Sequence, residues 1–257
     1  LAHAKFSASQ ERSIGLGAMG FHAYLQKRGI PFESAMAKSF NLRAFKHIKE
    51  EAAKTTRDLA EERGQCPDSK WYNGGVRNAH LLAIAPNASS SIICGNTSPS
   101  IEPYRANAFT QKTKTGSSLL KNPFLEELLE SKGENTEQNW KSIITSNGSV
   151  QQLDCLNEYE KDVFKTAVEL DQRWVVEHAA DRQEFICQAQ SVNMFFPADV
   201  SKQELHNVHL MAWKQKLKTL YYLRSEALKR AEVISDEKLR EFIFDFDDEE
   251  ACLACEG

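Results

Sequence analysis

Apolar residues recur along this chain in two rhythms, and each rhythm predicts a different kind of element. Phe45, Ile48, Ala52, Thr55 and Leu59 follow one another at spacings of three and four. That puts them on one face of the helical stretch predicted over 33–63, one long helix or two abutting ones, with Gly64 as its stop. A helix interrupted by glycines is predicted over 9–28. Residues 65–79 hold Gly, Pro, Asp and Asn and read as loop. Leu81 to Ala85 is a short continuous apolar run closed by Pro86, the pattern of a buried parallel strand. Residues 96–120 read as irregular. Helices are predicted over 121–132, 157–188 (broken near Asp181) and 201–218. Two further strands are predicted, Gln190 to Phe196 and Thr219 to Leu223. Strands alternating with helices imply an α/β domain with parallel strands.

After Arg230 the rhythm ends. Phe244 to Glu250 carries five acids in seven residues, which cannot pack as a core and reads as a solvated, flexible acidic tail. The expected division is a folded part over 1–231 and a tail over 232–257. With 257 residues, 41% of them hydrophobic, the chain is long enough to bury a sizeable core. Its formal net charge of −4 argues against coating nucleic acid but leaves room for a small phosphate site. No run approaches the roughly 20 apolar residues of a membrane span, and the first residues have no signal-peptide core. A cytoplasmic protein with no membrane partner is expected.

Four constellations are candidates for chemistry. Gly15, Gly17 and Gly20 match the spacing of a dinucleotide loop, but no strand pattern precedes them, so close helix packing is the preferred reading. Pro86, Asn87, Ala88, Ser89 and Ser90 follow a buried strand, where hydroxyls, backbone N–H groups and a helix N-terminus suit a phosphate; a plain helix cap fits equally well. Tyr221 and Tyr222 are adjacent, and a tyrosine pair can relay an oxidising equivalent, although strand-forming aromatics are the commoner explanation. Cys252 and Cys255 are spaced to close a disulfide and to exchange thiols. Half of a zinc site, completed by His206 and His209, is the lesser alternative, and no metal site is expected. Cys66, Cys94, Cys155 and Cys187 are scattered and read as reduced packing residues.

Taken in order, the segments RSIGLGAMGFHAYLQKRGIPFES (12–34), RNAHLLAIAPNASSSIICGNTSPSIEPYRANAFT (77–110), AADRQEFICQAQSVNMFF (179–196), MAWKQKLKTLYYLRS (211–225) and CLACEG (252–257) resemble the C-terminal part of class I ribonucleotide reductase large subunits. The second segment carries that family's Ile-Glu-Pro signature as Ile101-Glu102-Pro103. The resemblance implies the C-terminal portion of a ten-stranded α/β barrel. It implies that Pro86 to Ser90 hold the substrate diphosphate, that Tyr222 and Tyr221 are the outer and inner relay tyrosines, and that Cys252 and Cys255 form the tail shuttle.

The family's Asn-x-Cys-x-Glu segment does not occur in this sequence. The resemblance therefore implies that the radical cysteine, the reducing pair and the allosteric nucleotide sites lie on a preceding segment. Implied partners are that segment, a radical-generating small subunit bearing a tyrosyl or metal-based radical, thioredoxin or glutaredoxin, and a ribonucleotide; no cofactor binds directly. A split subunit and a partial one both fit, and either leaves sheet edges and apolar faces that a partner must cover. A non-catalytic accessory protein that binds nucleotide phosphate or exchanges thiols is the alternative.

Overall fold

The computed structural model describes residues 1–71, 75–113 and 116–225. At its centre four extended segments lie side by side, all parallel. Residues 14–16 pair with 81–84 through Ile14 N–H to the His80 carbonyl (3.0 Å), Leu16 N–H to Leu81 (2.8 Å) and Ala83 N–H to Leu16 (3.1 Å). Residues 82–84 pair on their other side with 188–191, with Ile84 opposite Gln190. Beyond that, Tyr221 N–H donates to the Val192 carbonyl and Met194 N–H to Tyr222. Here the pairing becomes regular as β3 (Met194–Phe196) and β4 (Leu223–Ser225). Strands are thus found where the apolar runs 81–85 and 190–196 predict them, and the third lies slightly later than Thr219 to Leu223.

The glycine segment corrects its expectation. Residues 12–20 are not helical: α1 is Ala2–Glu11 and α2 is Phe21–Lys27, with the extended segment between them. A side chain at Gly17 would place its Cβ 2.8 Å from the Ala83 carbonyl oxygen. One at Gly20, whose φ is +81°, would lie 2.6 Å from Thr97 Oγ1. These glycines let neighbouring strands and a loop approach the backbone, a role open to neither the dinucleotide reading nor a packed helix.

Each connection carries helices. The long α3 (Ala35–Arg63) follows α2; α4 (Ala88–Ile93) follows the strand 81–84; α8 (Gln172–Gln183) precedes the strand 188–196; and α9 (Lys202–Lys214) precedes β4. Ser34 caps α3 by accepting from Ala37 N–H. Gly64 ends it at φ +81°, where the sequence predicts the stop. Its buried face runs through Ala37, Asn41 and Phe45 to Thr56 and Ala60 rather than Thr55 and Leu59. A 3.6-residue helix drifts about 20° per heptad, so a three-four pattern extended this far slips by one position. The core brings together Phe21, Leu25, Phe32, Phe45, Leu82, Ile84, Val176, Val192, Met194 and Val208, each contributing roughly 1.5–3 kcal/mol by burial. Arg182 lies wholly inside it. Its Nε donates to Gln190 Oε1 (2.9 Å) and its Nη1 to Asn41 Oδ1 (3.0 Å), and its guanidinium lies against the rings of Phe21 and Phe45.

A second cluster sits beside the first. The hairpin β1 (Ala108–Thr113) and β2 (Gly116–Lys121), antiparallel with Ala108 opposite Lys121, occupies ground that reads as irregular. Of the hairpin residues whose side chains are described, only Ala108 is fully buried, so no alternating apolar pattern marks either strand. Helices α5 (Pro123–Ser131), α6 (Glu137–Thr145) and α7 (Glu158–Val163) complete the cluster, and α6 has no counterpart in the predicted elements. The break within 157–188 falls at 164–171, not near Asp181. Phe164, Ala167 and Leu170 are buried there in non-helical backbone, and Asp171 caps α8. Asp181 lies within α8 and pairs with Lys38 at 3.5 Å.

Candidate functional site

The strand 81–84 delivers its carboxyl end to Pro86 and Asn87, and α4 starts at once. Asn87 adopts φ +53°, ψ +31°, so its side chain makes no capping bond. Ser91 N–H is the donor that closes the first turn on the Asn87 carbonyl (3.0 Å). The N–H groups of Ala88, Ser89 and Ser90 precede that bond and have no acceptor within the helix. All three residues are exposed, whereas Ser91 is buried with its Oγ donating to the Ala88 carbonyl (2.7 Å). The expected phosphate residues are therefore together, at the carboxyl end of a parallel strand, as an open helix N-terminus. The open turn and the exposed hydroxyls of Ser89 and Ser90 can donate to an anion.

The loop beyond α4 is pinned from behind. Gly20 N–H donates to the Ser98 carbonyl (2.9 Å), Phe21 N–H to Ser100 (3.2 Å), and Ala23 N–H to Ser98 Oγ (3.0 Å). The loop thereby caps α2 in place of a side chain from α2's own N-cap. Tyr104 Oη donates to the Asn96 carbonyl (3.0 Å), and burial pushes that phenol up to about 12. Ile101, Glu102, Pro103 and Tyr104 form a buried run.

Tyr221 and Tyr222 stand at the same level as the loop. Ile84 is opposite Gln190, and Val192 accepts from Tyr221, so residue 86 and Tyr221 flank the same position of the strand 188–196. The two phenol rings lie 4.2 Å apart between centroids at 52°, and Tyr221 Oη donates to Tyr222 Oη at 3.5 Å. The two residues remain 41% and 37% exposed. Arg224 lies over the Tyr222 ring at 5.3 Å. The strand is fixed at its start by Thr219 Oγ1, which donates to the Gln190 carbonyl (2.7 Å), and by Lys218 Nζ, which donates to Ile186, Cys187 and Gln188 at 3.0 Å each.

Between loop and tyrosines lies a group of residues given no role by the sequence reading. Glu102, 2% exposed, accepts from Asn193 Nδ2 at 2.6 Å. Asn193 Oδ1 in turn accepts from Tyr222 N–H at 3.0 Å. Burial raises the Glu102 carboxyl to about 7, against the opposing pull of Arg105, the Asn193 bond and Arg224. The available signal was a carboxylate set between apolar neighbours in Ile101-Glu102-Pro103.

Cys252 and Cys255, and the division at 231, lie outside the described residues. Cys66 is buried as a packing residue should be; Cys94 and Cys187 are exposed, which corrects the packing reading for them. Cys187 Sγ instead accepts from Leu81 and Leu82 N–H (3.2 and 3.3 Å). Among the described residues no three His, Cys, Asp or Glu side chains are grouped to hold a metal ion. No helix among them is long and apolar enough to cross a membrane.

Comparison with known proteins points to one family. The family model described as the barrel domain of ribonucleotide reductase matches residues 1–74 and 68–223. The chain is similar to the ribonucleoside-diphosphate reductase large subunits of Invertebrate iridescent virus 6 (48% identical over 239 residues, 91% of this chain and 25% of that protein) and Invertebrate iridescent virus 3 (43% over 262 residues, 100% and 40%). Among solved structures it is similar to the Actinobacillus ureae class Id ribonucleotide reductase alpha subunit, with a TM-score of 0.78 and 41% identity, covering 85% of this chain and 40% of that one. The chain thus spans between a quarter and two-fifths of the lengths of these proteins.

Proposed function

The chain belongs to the ribonucleotide reductase barrel-domain family, and from that premise we propose that it is the part of a ribonucleoside-diphosphate reductase large subunit that grips the substrate diphosphate and completes the radical relay. The observation that carries this reading is the shared level of the open α4 N-terminus and the Tyr221–Tyr222 pair, on either side of the strand 188–196. Ala88, Ser89 and Ser90 donate to the diphosphate. Pro86 and Asn87 set the turn that aims them.

The oxidant arrives from a small subunit at Tyr222 and moves to Tyr221. The electron crosses between rings in contact, and each phenol releases its proton as its electron leaves. Tyr221 then oxidises a cysteine on the preceding part of the large subunit. The resulting thiyl radical takes the 3′ hydrogen of the ribose, and the 2′ hydroxyl leaves as water. Two thiols become a disulfide to supply the electrons, and the 3′ hydrogen is returned. Cys252 and Cys255 reduce that disulfide by exchange and are recharged by thioredoxin or glutaredoxin.

Ile14, Leu16, Met19, Ile93, Tyr221, Tyr222 and Leu223 are exposed apolar side chains on or beside the parallel array. They are the surface for the preceding segment and the small subunit.

The test is made in the complete large subunit assembled with its small subunit. Tyr221→Phe should abolish deoxyribonucleotide formation with substrate binding intact. Cys252→Ser should stop turnover with thioredoxin but keep it with dithiothreitol. Normal turnover by the Tyr221→Phe enzyme would overturn the relay role and leave an accessory role that binds phosphate or exchanges thiols.

A further inference from the structure

Tyr221 and Tyr222 are each more than one-third exposed. Their backbone is held from one side by a chain of three polar groups. Glu102 Oε1 accepts from Asn193 Nδ2 at 2.6 Å, and Asn193 Oδ1 accepts from Tyr222 N–H at 3.0 Å. Both side chains are only 2% exposed, so water does not compete for these bonds. The flanking ladder bonds, Tyr221 N–H to Val192 and Met194 N–H to Tyr222 (2.9 Å each), lie on either side of Asn193. The amide of Asn193 thus takes up the Tyr222 N–H, between two ladder bonds, and fastens it to a residue 120 positions earlier in the chain.

The far end of this chain belongs to the loop. Glu102 follows the pinned segment 98–101, and Glu102 N–H donates to the Pro99 carbonyl (2.9 Å). Two cations face the carboxylate: Arg105 from its own segment and Arg224 from β4. Arg224 also lies against the Tyr222 ring. The buried carboxylate thus reaches the tyrosine strand's backbone through the Asn193 amide, and the positive charge of Arg224, which lies over the Tyr222 ring, acts on it as well.

We infer that Glu102 and Asn193 are positioning residues that fix the Tyr221–Tyr222 pair against the substrate loop, so that the relay and the bound substrate share one rigid reference. This inference rests on the relay reading of the two tyrosines. Displacing a reacting group by about 1 Å can cost on the order of a hundredfold in rate. A clamp acting on the relay should therefore alter kcat and leave the KM for the ribonucleotide nearly unchanged.

The experiment uses the complete large subunit with its small subunit, and steady-state turnover with dithiothreitol, which bypasses the tail. Asn193→Ala and Glu102→Ala should each lower kcat by about tenfold or more, with KM changed by less than about twofold. The double variant should lose no more than either single one, because the two residues form one link. Glu102→Gln keeps an acceptor for Asn193 and should restore kcat to within about threefold of the parent enzyme. Asn193→Asp keeps the acceptor for Tyr222 N–H but not the donor to Glu102, and should be impaired like Asn193→Ala.

Were Asn193→Ala to fold poorly, the contrast between Glu102→Ala and Glu102→Gln still decides the question. Unchanged kcat in Asn193→Asp and Glu102→Ala, in an enzyme that Tyr221→Phe silences, would overturn the clamp and leave the relay standing. So would equal loss in Glu102→Gln and Glu102→Ala. Normal turnover in Tyr221→Phe would remove the relay and the clamp with it.

Discussion

The two hydrophobic clusters of this molecule are built on opposite plans. The satellite draws all its buried residues from one continuous stretch, Ala108 to Phe164, whereas the core gathers its own from Phe21 to Ala212. Each satellite helix begins with a capping side chain of its own: Asn122 for α5, Thr136 for α6, and Asn157 for α7 with the reciprocal Glu160 bond of a capping box. In the core, α3, α8 and α9 are also capped locally, by Ser34, Asp171 and Ser201, but α2 is capped by a distant loop and α4 has no capping side chain. The satellite stabilises itself locally; the core leans more on contacts between remote parts of the chain and leaves the N-terminal end of α4 without a cap.

The seam between them is neutral. Asn122 Nδ2 donates to Gln26 Oε1 (2.8 Å) and to Asn107 Oδ1 (2.9 Å), Gln26 Nε2 donates to the Val163 carbonyl (3.3 Å), and Asn107 Nδ2 donates to Phe164 (2.8 Å). Amides hold the two clusters together without a buried charge. The buried ionisable groups Arg182, His22, His178 and Glu102 all lie on the core side.

The largest test of this contrast is Arg182→Ala. It removes the guanidinium and strands Gln190 Oε1 and Asn41 Oδ1 in the core, at about 1–3 kcal/mol for each unsatisfied acceptor. Denaturant unfolding of the complete subunit, followed by probes placed in each cluster, would read it. The core should loosen first, and simultaneous loss of both clusters would show that the seam makes them one cooperative unit.

A smaller effect is expected from pH. Burial lowers His22 to about 3 and His178 to about 4, below the ordinary histidine value of 6.5. Between the folded and unfolded values the unfolded chain binds more protons. The stability these groups contribute is therefore present above about pH 6.5 and is lost as pH falls toward 4 and 3. By pH 5 each histidine accounts for about 2 kcal/mol. Residues 106–170 contain no histidine, so acid should open the core before the satellite. Hydrogen exchange at pH 5 and 7 would show it, and His178→Gln should flatten the slope.

The smallest effect is Asn157→Ala in the satellite, about 1 kcal/mol from loss of the α7 cap. A matched thermal melt and turnover assay of the complete enzyme should show lower stability and unchanged kcat, since α7 touches neither loop nor tyrosines.

These two plans also separate what was legible from what was not. Helix α3 and its Gly64 stop could be read because periodicity and stop signals are local. The strand 81–84 was legible from its continuous apolar run, although only Leu82 and Ile84 of it are buried. The hairpin was not, since its described side chains are mostly half-buried or exposed, and α6 went unread although Thr136 signals its start. The segment 12–20 was misread because glycine spacing says that backbones approach closely, not which ones.

By itself, the sequence determined the α/β alternation, the serine-rich end of a buried strand, the adjacent tyrosines and the family resemblance, all of which reside in residues near one another in the chain. Only the tertiary structure decided that residue 86 and Tyr221 flank one position of the strand 188–196. It alone turned Glu102 from part of a signature into an acceptor for Asn193. Register and burial depend on which distant segments meet, and a hydrogen bond between residues 91 apart leaves no periodicity in the chain that makes it.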